Sequence, residues 1–388
     1  MLNEHDLALI FVKRAKKLPS IYCWANKGPS RKGLLLKLWL KTFWVYMIKR
    51  ILFIALKYSY GREELGEALN KRALLNNFND LGYTVETIWL DEYSKDELQK
   101  IIIKKSNDFK PDIIFFKIFR DEILIETLER LKQRFYTVNW FGDDQWRFDK
   151  FTSKYALYFD ACITTDKFSV SKNIKIGQKN IIRSQHASFE NNNEYKNINY
   201  LYDVSFVGGA NTYRKWFVKQ LKMKDIHVEC FGKGWPNGRI SYDEMDEIML
   251  KTKINLNISN SLSFDVRYLL FSPVSVMLMI KSYLSGGEKN CSQTKARIFE
   301  IPVKGGFELT EYVPSLEDYY DIGKNIACYN SVDEASVLIK YYLENHQERE
   351  AIKYKSVDSS RNNHTYMNRV KEFMVELVKL HINKNETK

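Results

Sequence analysis

Short apolar runs alternate with helical runs twice along this chain, and a polar, asparagine-rich stretch separates the two series. In the first series Ile51–Leu56, Thr84–Trp89, Asp112–Phe116, Thr137–Phe141, Ala161–Thr165 and Asn180–Ser184 read as strands, rich in Ile, Val and Phe and bounded by turn residues. Helical patterns cover Glu63–Leu81, Asp96–Lys105 and Glu122–Arg134. After Glu190–Asn199 (ENNNEYKNIN) the alternation restarts with strands at Asp203–Val207, His227–Phe231, Ile254–Ile258, Phe307–Thr310 and Asn325–Tyr329. Helices are expected after Gly208-Gly209, over Lys295–Pro302 and over Ser331–Asn345. Strands apolar on both faces and separated by helices belong in parallel sheets covered on both sides. The expected fold class is therefore α/β: two Rossmann-like domains facing a cleft, with ligands at the carboxyl ends of the strands. The expected boundaries are a basic N-terminal extension over residues 1–49, a first domain over 50–190, a linker over 191–200, a second domain over 201–365 and a C-terminal helix over 366–388 that returns to the first domain.

Charge is local. Residues 1–50 hold eleven Lys/Arg against two acids, so most of the net +12 of the 388-residue chain sits there. That distribution suits one basic surface and argues against a nucleic-acid partner, for which no recognised module is present. Residues 31–50 mix Lys37, Lys41, Lys49 and Arg50 with Leu34, Trp39, Phe43 and Trp44. Such a segment can lie on an anionic membrane or pack as an extra helix on the first domain. No apolar run reaches the ~20 residues of a spanning helix, and no signal peptide is visible. The five cysteines form no CxxC pair, which argues for a reducing cytoplasm and against structural zinc. The expected location is cytoplasmic, including the inner face of the membrane.

The stretch Gln293–Glu311 (QTKARIFEIPVKGGFELTE) carries the densest chemistry. Glu300, on a basic helix with Lys295 and Arg297, can grip two neighbouring hydroxyls of a sugar. Gly305 and Gly306 let backbone approach a phosphate or ribose closely. Gly208-Gly209 follow a strand and open a helix, where free N–H groups can bind phosphate and Arg214 can neutralise a leaving diphosphate. Gly232-Lys233-Gly234-Trp235 ends a strand and suits a nucleobase edge, or is a tight turn with a core Trp. In the first domain, Asp143 or Asp144 is a candidate proton acceptor, the alternative being a helix cap paired with Arg147. Their adjacency also resembles a metal-binding Asp-x-Asp, but a third ligand is missing and no metal site is expected. Asp166 reads mainly as a helix cap. His186 is a candidate acceptor-side base, and Tyr60-Gly61 a loop on the acceptor side.

Several of these stretches together resemble the CgeB-like (spore-maturation-like) glycosyltransferases: KYSYG at Lys57–Gly61, NWFGDDQWRFD at Asn139–Asp149, ITTD at Ile163–Asp166, DVSFVGG at Asp203–Gly209, CFGKGW at Cys230–Trp235, KINLNIS at Lys253–Ser259, KARIFEIPVKGGFELTEYV at Lys295–Val313 and HTYMNR at His364–Arg369. The resemblance implies the GT-B fold, a second domain that holds a nucleotide-sugar donor, UDP-sugar by default, and a first domain that holds a glycan or lipid-linked acceptor. It implies a hexosyltransferase-like enzyme of surface polysaccharide assembly that requires no cofactor or metal. Glu300 aligns with the glutamate that grips the donor ribose in related enzymes. The acid usual eight residues earlier is Ser292 here, which leaves retention or inversion open and admits a non-catalytic relative that binds a nucleotide or glycan. Glu308 stands eight residues after Glu300, past the turn and in the wrong phase. Ser261–Ser285 interrupts the pattern with an apolar stretch that can bury as a helical pair, extend the acceptor site or contact another subunit.

Overall fold

The computed structural model describes residues 48–259, 261–284 and 293–386. The two series form two parallel sheets. The first holds β1 (Arg50–Ala55), β2 (Thr84–Trp89), β3 (Ile113–Lys117), β4 (Tyr136–Phe141), β5 (Ala161–Thr164) and β6 (Ile181–Arg183) in the order β2-β1-β3-β4-β5-β6. The second holds β7 (Tyr202–Val207), β8 (Glu229–Phe231), β9 (Thr252–Asn257), β10 (Glu308–Glu311) and β11 (Ala327–Tyr329) in the order β11-β10-β9-β7-β8. Each sheet grows to one side of its first strand and then crosses to the other. The switch points, between β1 and β3 and between β7 and β9, are where a doubly wound sheet opens a crevice.

The helices on the first sheet are α1 (Asn76–Asp80), α2 (Lys95–Phe109) and α3 (Ile125–Arg134), followed by the short α4 (Asp144–Arg147) after β4 and α5 (Ser169–Lys175) after β5. The second domain carries α6 (Thr212–Lys222), α7 (Tyr242–Leu250), α8 (Pro273–Leu284), α9 (Arg297–Val303), α10 (Val332–Glu344) and α11 (His346–Asn363), and α12 (Tyr366–Glu386) follows. Strand alternation explains the two-sided core. Ile51, Phe53 and Ala55 share one face with Phe115, Val138 and Trp140, while Leu52 and Ile54 share the other with Ile114 and Phe116. The second of these faces is covered by Leu98 and Ile102 of α2 and Leu128 and Leu131 of α3. The first takes Phe373, Met374, Leu377 and Val378 of α12. The chain thus builds the second domain and then sends its last helix back into the first core. At the crossing, Ser188 N donates to the His364 carbonyl (3.0 Å) and Tyr366 N to the Ser188 carbonyl (2.9 Å). The second core joins Tyr213, Trp216 and Phe217 of α6 and Ala335 and Ile339 of α10 to the strands.

One local reading needs correction, one helix is added, and the stretch after Ser261, left open above, proves helical. The helix expected over Glu63–Leu81 starts only at about Lys71. Gly66 takes a positive φ of 81° and Tyr58 pairs with Glu67 in an antiparallel bridge, so the first part closes on itself as a loop. Helix α7 was not anticipated, although Ser241 and Glu244 spell a capping box in which Ser241 Oγ accepts from Glu244 N at 3.2 Å. Residues 261–284 form a helical turn at Val266–Leu269 and then α8. Tyr268 is buried in the second core, while Phe264 (82%), Tyr283 (86%) and Leu284 (78%) stand exposed. The basic amphipathic reading of residues 31–50 falls, up to residue 47, outside the described residues.

Candidate functional site

The first-domain wall is built from three strand ends. β3 stops at Lys117, β4 runs into Gly142-Asp143, and β6 leads to His186. Burial pushes the Lys117 amine down to about 8, against the pull of the Asp143 carboxylate. Its ammonium also lies 5.6 Å from the centre of the Trp140 ring. The His186 imidazole donates to the Gly142 carbonyl. Burial, then the Lys117 charge, hold it below the usual histidine range, while Asp143 and the Gly142 bond pull the other way. His186 is therefore neutral at pH 7, beside an amine and a carboxylate. Lys117 was not singled out from the sequence; its signal was a lysine ending an otherwise apolar buried strand, IIFFK.

The two neighbouring aspartates separate. Asp144 is 1% exposed. Its two oxygens accept from the hydroxyls of Thr152 and Thr164, the latter at 2.6 Å. Burial pushes its carboxyl up to about 6. Asp143 is half-buried and accepts from Gln293 of the second domain at 3.4 Å. Asp166 shapes the turn into α5 without capping it, accepting from Ser169 Oγ at 2.6 Å and Phe168 N at 3.3 Å. It also borders an interdomain cavity of about 220 Å³ with Gln145, Lys172, Gln293 and Ser315. Tyr60 and Gly61, both at positive φ, lie at the β1 end of the switch point, with the Tyr60 ring edge-on to Phe119 at 5.6 Å.

The second-domain wall centres on the β7/β9 switch point. Asn211 caps α6 by accepting from Arg214 N at 2.8 Å. The Arg214 guanidinium spans the crevice, donating to the Gly209 carbonyl (2.8 Å) on one lip and to the Ile258 carbonyl (3.2 and 3.0 Å) on the other. Burial, then the nearby Arg297 charge, depress its basicity. Lys295 donates to the Ser259 carbonyl at 2.9 Å. Arg297 pairs with Glu300 at 3.2 Å, and the Glu300 side chain remains 13% exposed. Arg214 thus ties the Gly208-Gly209 turn to Ile258, Lys295 holds the next carbonyl at Ser259, and Arg297, whose charge reaches Arg214, pairs with Glu300.

The other glycines do a different job. A Cβ on Gly232, which sits at φ +126°, would lie 2.5 Å from the Gly208 carbonyl oxygen. The same carbonyl accepts the Trp235 indole N–H at 2.9 Å. Gly234 is closed by Ala210, 3.0 Å from its own virtual Cβ. The Gly232–Trp235 loop therefore buttresses the Gly208 turn, and its close approach is to protein. Gly305 and Gly306 are corrected in the same way. Their Cβ positions would strike Tyr195 (2.7 Å) and Asn255 (2.6 Å), so the space they leave is already filled by the chain. Glu308 is buried, accepts from Asn257 at 2.8 Å, and is driven well above the carboxylate range by burial. It lies inside the sheet, away from a ligand role.

Across the cleft, Asp318 meets Lys167 at 2.9 Å and also pairs with Arg183, while Gln185 reaches the Tyr319 hydroxyl at 3.4 Å. The arrangement sets cations and a helix start against a carboxylate, an amine and a neutral imidazole. This can hold a diphosphate on one side while a proton is moved on the other. Among the described residues no group of three or more His, Cys, Asp or Glu side chains could hold a metal ion.

Residues 214–375, under half of the chain, match the model of a family described as glycosyl transferase-like. No curated protein matches the sequence. The fold is shared with solved structures at low identity. A sucrose-phosphate synthase from Thermosynechococcus elongatus superposes with a TM-score of 0.56 at 9% identity, covering 88% of this chain and 100% of the other. A glycosyltransferase from Rickettsia africae gives 0.54 at 10% identity, covering 86% and 99%. Anabaena Alr3699/HepE, in complex with UDP and glucose, gives 0.53 at 9% identity, covering 88% and 99%. The two parallel-sheet domains are those of the GT-B fold.

Proposed function

We propose that the protein is a glycosyltransferase that moves a sugar from a UDP-sugar to a glycan or lipid-linked glycan acceptor. The observation that carries this reading is the pairing of two walls. Glu300, Arg297 and Lys295 gather with the Gly208-Gly209 turn at one switch point, and Asp143 stands opposite, reached by Gln293. The family match over residues 214–375 covers this second wall and supports the donor side. UDP in a neighbour of the same fold supports the choice of nucleotide.

In this reading Glu300 accepts from the two ribose hydroxyls, as an ionised carboxylate does well. The amides after β7 and the cations Lys295 and Arg297 face the diphosphate. Arg214 holds the two lips at fixed separation and adds its field. Asp143 takes the proton from the acceptor hydroxyl as that oxygen bonds to the anomeric carbon. The bond from the anomeric carbon to the diphosphate oxygen breaks, and the charge that develops there is met by cations already in place. Lys117 and His186 set the electrostatics around Asp143, and Asp144 anchors the turn that presents it. Tyr60 and Gly61 border the acceptor side. Placement on the inner face of a membrane, in surface polysaccharide assembly, is supported by the exposed apolar side chains of Phe264, Leu270 and α8. Among the described residues no helix is long and apolar enough to cross a membrane.

The test is release of UDP from UDP-glucose and UDP-N-acetylglucosamine by the purified chain, with and without added acceptor sugars. Release that Asp143→Asn abolishes while UDP still binds supports transfer. UDP binding without release by the native chain, across donors and acceptors, would favour a nucleotide-binding relative without catalysis.

A further inference from the structure

The turn that follows β1 is strained without a gain in packing. Gly61 N donates to the Tyr58 carbonyl at 3.0 Å, closing a four-residue turn with Ser59 and Tyr60 at its centre. Tyr60 takes φ 59° and ψ 19°, the left-handed region. Glycine or asparagine ordinarily fills that third position, because a Cβ there crowds the backbone. The surrounding frame is firm. Ser59 N donates to the Gly66 carbonyl (2.9 Å) and Ala68 N to the Lys57 carbonyl (2.8 Å). Asp91 accepts from Lys57 N and Tyr58 N at 2.8 and 2.9 Å. This frame holds a bulky side chain in a conformation it disfavours, yet Tyr60 stays 65% exposed. Its ring meets Phe119 edge-on, with centroids 5.6 Å apart and planes at 71°.

Tyr60 borders a cavity of about 320 Å³ together with Tyr93 and Phe119. The Phe119 ring is itself fixed between the guanidinium groups of Arg120 and Arg147, 5.2 and 5.3 Å from its centre. The carboxylates of this cavity are engaged from within the protein. Asp91 holds the two amides already named, Asp121 pairs with Lys95 at 2.9 Å, and Glu122 accepts from Phe119 N and Arg120 N at 3.3 and 2.7 Å. Three aromatic rings thus border a cavity whose acids are already hydrogen-bonded. In the sheet β1 lies two strands from β4. At about 4.8 Å per strand, Tyr60 stands roughly 10 Å along the carboxyl edge from Asp143.

We infer that Tyr60 is an aromatic platform for a neutral sugar ring of the acceptor, at least one unit removed from the sugar that is glycosylated. The inference rests on the transfer reading above and names the acceptor class for it: an uncharged oligosaccharide whose pyranose rings present a face of C–H groups. Such a face packs flat on an aromatic ring and buries apolar area, while the hydroxyls around its edge stay free to hydrogen-bond. Strain of this kind is kept where a side chain must be held ready for a ligand. A ring that served only the fold would be buried, and a turn that served only the fold would carry glycine or asparagine.

The experiment is calorimetry on the full chain with neutral tetrasaccharides of glucose, galactose, mannose and N-acetylglucosamine, their monosaccharides, a glucuronate-containing tetrasaccharide and UDP. Each is titrated into the native chain, Tyr60→Phe and Tyr60→Asn, and thermal melts of all three proteins run alongside. At least one neutral tetrasaccharide should bind the native chain about tenfold or more tighter than its monosaccharide. Tyr60→Phe should keep that affinity within about threefold, and Tyr60→Asn should lose about tenfold or more, while UDP affinity holds in both. Asparagine accepts a positive φ, so Tyr60→Asn should melt at or above the native temperature. The inference is overturned if no neutral tetrasaccharide binds, if the affinity is indifferent to Tyr60→Asn, or if the glucuronate probe binds tighter than every neutral one. A clear fall in the melting temperature of Tyr60→Asn also overturns it, because the ring would then serve packing. Failure of UDP to bind while the tetrasaccharide behaves as described would instead count against the donor reading, so the two claims fail separately.

Discussion

Asp144 is a carboxylate kept in the interior at a cost, and replacing it with asparagine should stabilise the protein above neutral pH. Burial raises its carboxyl to about 6 from an ordinary 3.8. Below pH 3.8 it is protonated whether the chain is folded or not, and nothing is lost. Between these values the folded chain holds the proton that the unfolded chain releases, so stability falls as pH rises. Above pH 6 the loss is complete. At about 1.36 kcal/mol per pH unit over roughly two units, it amounts to about 3 kcal/mol. In Asp144→Asn the amide oxygen keeps one threonine as donor, and the amide N–H₂ can donate to the other once its hydroxyl turns. The poorer hydrogen bonding costs on the order of 1 kcal/mol. The net expectation is a gain of about 2 kcal/mol at pH 8 that passes through zero between about pH 4 and 5 and becomes a loss of up to about 1 kcal/mol at lower pH. Urea unfolding at pH steps from 4.5 to 8, read on first-domain tryptophan fluorescence, measures it. A variant less stable than the native protein by the same amount at every pH would refute the reasoning, because the carboxylate would then contribute as an ion and not merely tolerate burial. Turnover should survive the change within an order of magnitude, since both Asp144 oxygens face threonines.

Asp143→Asn should behave in the opposite way, lowering kcat by about 100-fold or more while UDP affinity holds; steady-state kinetics with a separate UDP titration read both. Gly232→Ala should cost about 2 kcal/mol or more, because a residue at φ +126° would also drive its Cβ to 2.5 Å from the Gly208 carbonyl. The same substitution should weaken UDP binding by displacing the Gly208 turn, seen in a thermal melt with and without UDP. Asp318→Asn removes both Lys167 and Arg183 pairings across the cleft. These are partly exposed ion pairs, so stability should change by no more than about 1 kcal/mol. Small-angle scattering should show a more open pair of domains.

The fold was legible because most strands are short, several, such as β1 and β3, are apolar on both faces, and helices separate most of them, a pattern that suits a parallel sheet. The Asn-rich stretch Glu190–Asn199 falls between the last strand of the first sheet and the first strand of the second. The proposed site was legible in part: Glu300 and the Gly208-Gly209 turn are read from local order along the chain. Asp143 and Asp144 could not be told apart, because adjacent residues after a strand point to different sides and the Thr152 and Thr164 hydroxyls that claim Asp144 lie in other elements. Gly232, Gly305 and Gly306 were read as ligand approaches. A glycine reveals that something comes close, and only the packing tells that it is Gly208, Tyr195 or Asn255. Lys117 went unread because a lysine ending a strand is ordinary until Asp143 and His186 arrive from distant strands. The loop before α1 was misread as helix because Gly66 and the Tyr58–Glu67 bridge override helix-forming residues on either side.

The central claim is that Glu300 holds the ribose of a uridine nucleotide against the cations of the second wall. Calorimetric titration of UDP into the native chain and into Glu300→Gln tests it most directly. The account predicts saturable binding to the native chain and at least about tenfold weaker binding to the variant, the equivalent of about 1.4 kcal/mol, with both proteins equally folded. A well-folded native chain that does not bind UDP, or an affinity unchanged by the substitution, would contradict it.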